Sequence, residues 1–272
     1  RRLAREASVA LETVTGTGPQ GRVQAADVRA ASSAPNSPSG GERRAEVVEL
    51  TGVRRTIAER MQESFHDLPH IALTIEVDVT AFEACRVHLN QVAEKRSEAK
   101  VSLTALLVKA VAWALERHPY LNASLIEGKI HLWTAVNVGV ATAVESGLVV
   151  PVVHGANHQS VRQLADALQD LTARARQRKL NLHDVQQGTF TISNLGMYGI
   201  TQFRAIINPP ESAILAVGRV VRKPVVINQN DDVAVRPILS LTLSADHRVI
   251  DGVAAAHFLQ ELAQAIEWPD TL

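Results

Sequence analysis

The chain has a single cysteine, Cys85. One thiol cannot build an internal disulfide framework, and such usage fits a reducing compartment. Net charge is missing too: 28 Lys and Arg balance 28 Asp and Glu. Nothing in that balance suggests a nucleic-acid or membrane surface. No apolar run is long enough to span a bilayer; "LTALLVKAVAWAL" is interrupted by Lys109. There are no cysteine pairs and no HExxH pattern, and the histidines are scattered, which argues against a metal centre. Without a GxSxG elbow the chain is a poor candidate for a serine hydrolase. The glycines of "TGTGPQGR" follow no strand and have neither Walker nor dinucleotide spacing. An initiating Met is lacking as well: Arg1 opens within a helical pattern. The chain therefore reads as a piece of a longer polypeptide, with any targeting segment upstream.

What is present is ordinary for a soluble globular protein: 272 residues, 46% hydrophobic and 21% charged. That length allows a substantial core and two units. In residues 1–30, "RRLAREA" places Leu3, Ala4 and Ala7 at helical spacing. The Gly- and Pro-containing loop "TGTGPQGR" follows, and "QAADVRAA" resumes a helix. Residues 31–46, "ASSAPNSPSGGERRAE", have linker composition.

From residue 47 to 272 the pattern becomes α/β. "TIAERMQESF" reads as helix and "HIALTIEVDV" as a half-buried strand. Thr80 and Glu83 have capping-box spacing before a helix carrying Phe82, Cys85 and Leu89. "SLTALLVKAVAWALERH" shows a helix face. Strands are expected at "SLIEGKIHLW", "VNVGVATAVE" and "LVVPVV". Ser160 and Gln163 cap another helix. "GTFTISNLG" and "SAILAVGRVV" read as strands, "VVINQNDDVAVRPILSLTLSA" as a hairpin or pair, and the C-terminus as a helix. Strands and helices mix without strict alternation, which predicts a mixed sheet with packed helices rather than a doubly wound fold.

Two stretches could carry chemistry. "SLTLSADHRVIDGVAAAHF" holds His247, Arg248, Asp251 and Gly252 where a strand-like run meets a helix-like one. His247 and Asp251 could be metal ligands, an acid–base pair or parts of a structural turn. Gly252 and the flanking strand favour a turn over a helical i, i+4 pair. A histidine, with an unperturbed pKa of ~6.5, can act as a base at neutral pH. In "GTFTISNLGMYGI", Thr189, Thr191 and Ser193 alternate onto one face of a strand. A Ser193 hydroxyl there could donate to an oxyanion, or the stretch could be only a strand entering a hairpin.

Together these segments resemble the dihydrolipoamide acyltransferases, core components of 2-oxoacid dehydrogenase complexes. Residues 1–30 resemble the small helical peripheral subunit-binding domain of that family, starting slightly late. "LTGVRRTIAERMQESFHDLPHIALTIEVDVT" resembles the start of its catalytic domain. "FTISNLGMYGITQFRAIINPPESAILAVG" and "LSADHRVIDG", with the full DHRxxDG motif, are the most diagnostic segments. The resemblance implies a chloramphenicol-acetyltransferase-like catalytic domain. It also implies homotrimers with active sites between neighbouring subunits, and a large octahedral or icosahedral core. It implies acyl transfer between dihydrolipoamide and coenzyme A, with His247 as general base, Ser193 stabilising the oxyanion and Asp251 organising the loop, holding Arg248 or another arginine.

On the same resemblance the small domain binds dihydrolipoamide dehydrogenase or the 2-oxoacid decarboxylase component, with Arg1, Arg2, Arg5 and Arg22 as contacts. The lipoyl group belongs to a lipoyl domain absent from this chain, and no metal is involved. The segments around Ser193 look most like the acetyl-transferring, pyruvate dehydrogenase type; succinyl- and branched-chain-specific members are the alternatives. A non-catalytic scaffold subunit and a free-standing acetyltransferase are the competing readings. The expected location is the cytoplasm, or the mitochondrial matrix in a eukaryote.

Overall fold

A computed structural model describes residues 2–7, 9–33, 45–145 and 147–272. Most of the expected linker, 34–44, and Arg1 lie outside the described residues. Internal contacts divide the chain into Arg1–Glu49 and Leu50–Leu272.

The smaller unit has two short helices, α1 (Arg2–Glu6) and α2 (Ala25–Ser33). Ala4 and Val28 are its buried apolar residues among those described. So small a core needs polar help, and Asp27 supplies it. Its carboxylate accepts from Thr17 Oγ1 at 2.6 Å, Gln24 N at 2.8 Å and Thr17 N at 3.0 Å. The loop expected at "TGTGPQGR" is thus tied to α2.

The larger unit begins with α3 (Gly52–Asp67), β1 (His70–Asp78), α4 (Thr80–Lys95) and α5 (Leu103–Leu115). β2 (Ala123–Ile126) and β3 (Lys129–Leu132) follow as a separate two-stranded sheet. β4 (Val138–Val144), β5 (Gly147–Val149), β6 (Val152–Val153), α6 (Val161–Arg176) and β7 (Phe190–Asn194) come next. β8 (Ala213–Val226), β9 (Val233–Asp246) and α7 (Gly252–Glu267) complete it.

The main sheet runs β1-β9-β8-β7-β4-β5, with β6 also on β4. β1, β9 and β8 are antiparallel neighbours, whereas β7 is parallel to both β8 and β4. This is the mixed sheet the sequence predicts.

The strands alternate as a two-sided surface requires. Leu239, Leu241, Leu243 and Ala245 of β9 pair with Val77, Ile75, Leu73 and Ile71 of β1 and join the main core. Phe82 of α4, Leu107 of α5, Leu164 of α6 and Phe258 of α7 belong to the same core. α5 is buried over most of its surface, more than the single face expected. Its Lys109 ends on the carbonyls of Asn157 (3.3 Å) and Gln159 (3.2 Å).

The opposite sheet face is polar yet buried: Thr191, Ser240, Thr242, Ser244 and Asp246. The segment 199–212 is tied to this side of the sheet and to α3. Gln202 Nε2 donates to Thr74 Oγ1 at 3.0 Å, Ser64 Oγ to Ile207 O at 2.7 Å, and Ile207 N to His70 Nε2 at 3.2 Å. Gly218 permits the close crossing: a Cβ there would stand 1.8 Å from Thr201 O.

Two expectations change. The spacing of Thr80 and Glu83 does not form a capping box: the N-cap is Val79, and Thr80 already lies inside the helix. The amide a box would direct at the Thr80 hydroxyl, Glu83 N, donates to Val79 O at 2.8 Å instead, while Thr80 N (2.8 Å) and Oγ1 (2.5 Å) donate to Asp78 Oδ1. "LVVPVV" divides into β5 and β6, since Pro151 cannot donate to a ladder. The Ser160–Gln163 capping box is present, with Gln163 N donating to Ser160 Oγ and Gln163 Oε1 accepting from Ser160 N.

Candidate functional site

The end of β9 explains the order of residues in DHRxxDG. Asp246 closes the strand and is buried, with 2% exposure. Its Oδ1 accepts from Arg248 N and Nε, both at 3.0 Å, and its Oδ2 from Arg248 Nη2 at 2.7 Å. This contact raises the Arg248 pKa further above its ordinary value. Val249 and Ile250 turn inward to the core. Asp251 is the N-cap of α7, its Oδ1 accepting from Ala254 N at 2.8 Å. The side chain left over is His247. Its backbone N donates to Pro69 O at 2.9 Å, but its imidazole is exposed and makes no hydrogen bond with a described residue. The turn holds its own polar groups and presents one histidine.

Asp246, not Asp251, holds Arg248. Asp251 instead caps the helix that follows the loop.

Ser193 lies near the C-terminal end of β7, between Ala141 of β4 and Ala216 of β8. It lines a cavity of about 650 Å³. Leu168 and Thr172 of α6, Thr104 of α5 and Val140 of β4 form other walls. Asn194 fixes the exit from the strand: its Oδ1 accepts from Gly196 N at 2.9 Å, and its Nδ2 donates to Thr104 Oγ1 at 3.2 Å. The Ser193 hydroxyl makes no hydrogen bond with a described residue.

The fold does not bring Ser193 and His247 together. Ser193 is level with Ala216, which is level with Thr242. His247 is five residues further along, past the end of β9. Strand geometry puts that at roughly 17 Å along the strand and about 10 Å across two strand spacings, well beyond a hydrogen bond. Each residue is presented to the outside, on a different part of the unit.

Sequence patterns missed Lys100 and Arg176, which bring positive charge to the Ser193 cavity from separate elements. No local signal marks them, because only the packing of α6 and the segment before α5 places them there. Asn194 was within view in "FTISN", but its role is set by Thr104, far off in sequence. In the smaller unit, Arg5 on α1 and Arg22 at the end of the loop are exposed, while Arg2 opens α1. Among the described residues, no group of three or more His, Cys, Asp or Glu could hold a metal ion, and no helix is long and apolar enough to cross a membrane.

Comparison with known proteins gives two family matches. Residues 42–272 match the catalytic domain of the 2-oxoacid dehydrogenases acyltransferase family, and residues 1–29 match the e3 binding domain. The chain is 38% identical over 272 residues to the dihydrolipoyllysine-residue acetyltransferase component of the pyruvate dehydrogenase complex of Rickettsia felis. That match takes in 99% of the chain and 66% of the relative's length. A solved structure of Azotobacter vinelandii dihydrolipoamide acetyltransferase, in whose mechanism a serine, a histidine and an asparagine have been investigated, is 35% identical. It covers 86% of this chain and 96% of its own, with a TM-score of 0.79. The cubic core of a pyruvate dehydrogenase multienzyme complex matches with 34% identity and a TM-score of 0.79, over 86% and 96%. With the family pattern covering the whole larger unit, the chain belongs to the 2-oxoacid dehydrogenase acyltransferase family.

Proposed function

We propose that the chain transfers an acyl group, acetyl by preference, between a dihydrolipoyl thiol and coenzyme A, as the core subunit of a 2-oxoacid dehydrogenase complex. The carrying observation is the DHRxxDG turn, whose hydrogen bonds and buried residues leave the His247 imidazole exposed and unengaged.

A free thiol has a pKa near ~8.5, so little of it is thiolate at neutral pH. His247 removes the thiol proton as sulfur attacks the thioester carbonyl. A C–S bond forms, and the carbonyl oxygen takes up negative charge. Ser193 donates a hydrogen bond to that oxyanion. On collapse the original C–S bond breaks, and the imidazolium returns its proton to the leaving sulfur. Coenzyme A and the lipoyl group are both substrates here. Asp251 acts through the loop rather than on a proton.

Because Ser193 and His247 lie far apart within one chain, both can serve one thioester only if they come from neighbouring copies. This supports a homotrimer with sites between subunits, and closed symmetry extends such trimers to a larger core. The smaller unit docks dihydrolipoamide dehydrogenase or the decarboxylase component, with Arg1, Arg2, Arg5 and Arg22 as its cationic contacts. The acetyl preference is supported by the names of the Rickettsia and Azotobacter relatives.

The test is acyl transfer to free dihydrolipoamide from acetyl-, succinyl- and isobutyryl-CoA, with assembly size measured alongside. Acetyl transfer by a trimer-based particle supports the proposal. A correctly assembled particle that transfers none of the three supports the scaffold reading, and preference for another donor moves the chain to a different acyl branch.

A further inference from the structure

A buried polar cluster lies behind Ser193, and the acyl-transfer reading leaves it unused. Thr191 stands two residues before Ser193 on β7, so the two side chains share one sheet face. Thr191 is 1% exposed, and Glu211, from the segment leading into β8, is 3% exposed. Three buried oxygens here have no hydrogen-bond partner among the described residues: Thr191 Oγ1, Glu211 Oε2 and Ser212 Oγ. The other carboxyl oxygen, Glu211 Oε1, accepts from Asn208 Nδ2 at 3.0 Å. Two glycines keep the space open. A Cβ on Gly188 would stand 2.9 Å from Glu211 Oε1, and one on Gly139 would stand 3.0 Å from Thr191 Oγ1.

The surroundings suit a neutral group. Thr191 of β7, Asn208 and Ser212 of the connecting segment, and the apolar Val152 of β6 carry no charge. The charged side chains lining the adjoining cavity are Glu63 and Asp67 of α3, Asp246, and Arg248. Three of these are acidic, and the fourth is bonded to Asp246. A carboxylate at Glu211 would be a buried charge without a counter-ion, which is a costly arrangement. Burial pushes the Glu211 carboxyl up to about 7; the nearby Thr191 hydroxyl and the Asn208 amide pull it the other way.

We propose that Glu211 is held as a carboxylic acid whose O–H donates to Thr191 Oγ1, making it a positioning residue that fixes β7 behind Ser193. One proton then satisfies two of the orphaned oxygens, Glu211 Oε2 as donor and Thr191 Oγ1 as acceptor. Ionisation reverses that bond, with the Thr191 hydroxyl donating to a carboxylate, and leaves a buried charge without a counter-ion that draws the 208–212 segment toward water. The strand that aims Ser193 loses its support on that face.

The functional half rests on the Ser193 role proposed above; the protonation half does not. The sign follows from linkage. The folded carboxyl holds its proton more tightly than the unfolded one, so as pH rises the unfolded chain releases it first. The stabilisation is complete below the ordinary carboxyl range, around 4.5, falls as pH rises to about 7, and is absent above that.

The experiment uses the assembled full chain, as wild type, E211Q and E211A. Thermal midpoints are taken from about pH 5 to about pH 8.5, with infrared spectra of the carboxyl region at about pH 6, where ordinary carboxyls are ionised. Glutamine keeps a neutral donor. E211Q is therefore expected to flatten the decline in midpoint, stay within about threefold of wild-type acyl transfer at pH 6.5, and retain a larger fraction of that rate at pH 8.5. E211A is expected to lose about tenfold or more, since it leaves Thr191 unpartnered. Wild type should show a carboxylic-acid C=O band that E211Q lacks and that disappears above about pH 7.5. Identical pH–stability profiles for wild type and E211Q overturn the proposal. So does the absence of that band, which decides the matter in wild type alone should E211Q fail to fold. Neither readout requires catalysis, so an inactive protein with the band and the profile would reject the acyl-transfer reading and leave this one standing.

Discussion

Ser193 is level with Thr242 through Ala216, and His247 lies five residues beyond Thr242 on the same chain. Parallel pairing of β7 with β8 and antiparallel pairing of β8 with β9 fix that offset. A one-residue register slip would invert the two faces of β9, carrying Leu241 and Leu243 to the polar side and Thr242 and Ser244 into the apolar core. The separation is therefore as firmly built as the core. A reaction needing both residues has to be assembled from two copies.

Mixed particles test this directly. H247A and S193A chains, each inactive alone, are combined before assembly. If every site takes Ser193 from one copy and His247 from the next, random trimers contain about one quarter of the wild-type number of intact sites. Recovery to about that level is expected in the acetyl-CoA to dihydrolipoamide assay. Mixed particles no more active than the parents would place both residues at one site within a single chain, or remove one of them from catalysis.

Separate kinetics of the two variants report the two roles. S193A is expected to lower kcat by ~10²–10³ with little change in KM, because an oxyanion donor acts in the transition state. H247A is expected to cost ~10²–10⁴ in kcat, because no other group then takes the thiol proton. A loss of less than tenfold for S193A would make the Ser193 assignment untenable.

The parts of this site that the sequence makes legible are those coded by local pattern. Ile71, Leu73, Ile75 and Val77 alternate, and β1 forms there. Ser160 and Gln163 stand at the right interval, and the box closes. Thr80 has the same signature and fails, because the helix starts one residue earlier and the Glu83 amide donates to Val79 O. Within DHRxxDG the sequence offers two aspartates for Arg248. Turn geometry chooses Asp246, since the chain folds back on itself there while Asp251 faces the amides of α7. Lys100, Arg176 and Glu211 escaped notice because what they face is decided by elements distant in sequence. The offset between Ser193 and His247 was hidden for the same reason: strand order is a property of the sheet.

Asp251 gives a clean division between organiser and proton carrier. Asparagine caps helices about as well as aspartate. D251N is therefore expected to keep the stability and most of the acyl-transfer rate, while D251A loses about 1 kcal/mol of stability through the missing cap. Thermal melts and kcat measured on both variants check this. A D251N rate as low as that of H247A would show that the charge of Asp251 itself takes part in the reaction.

The smaller unit should have its own acid limit. The Thr17 hydroxyl, then the Gln24 and Thr17 backbone amides, hold the Asp27 carboxyl below the usual carboxylate range. A depressed folded pKa contributes stability above the unfolded value, near ~3.9, and that stability is lost as pH falls through the folded value. Protonation also removes the acceptor that ties the glycine loop to α2, in a unit with very little apolar core. Hydrogen exchange on the full chain is expected to show residues 9–33 losing protection below about pH 4. D27A should abolish that protection at neutral pH while the larger unit keeps its own. Docking of dihydrolipoamide dehydrogenase or the decarboxylase should then fail with acyl transfer to free dihydrolipoamide intact. If D27A leaves both the protection and the docking unchanged, the carboxylate does not hold the unit together, and its stability must come from elsewhere in the chain.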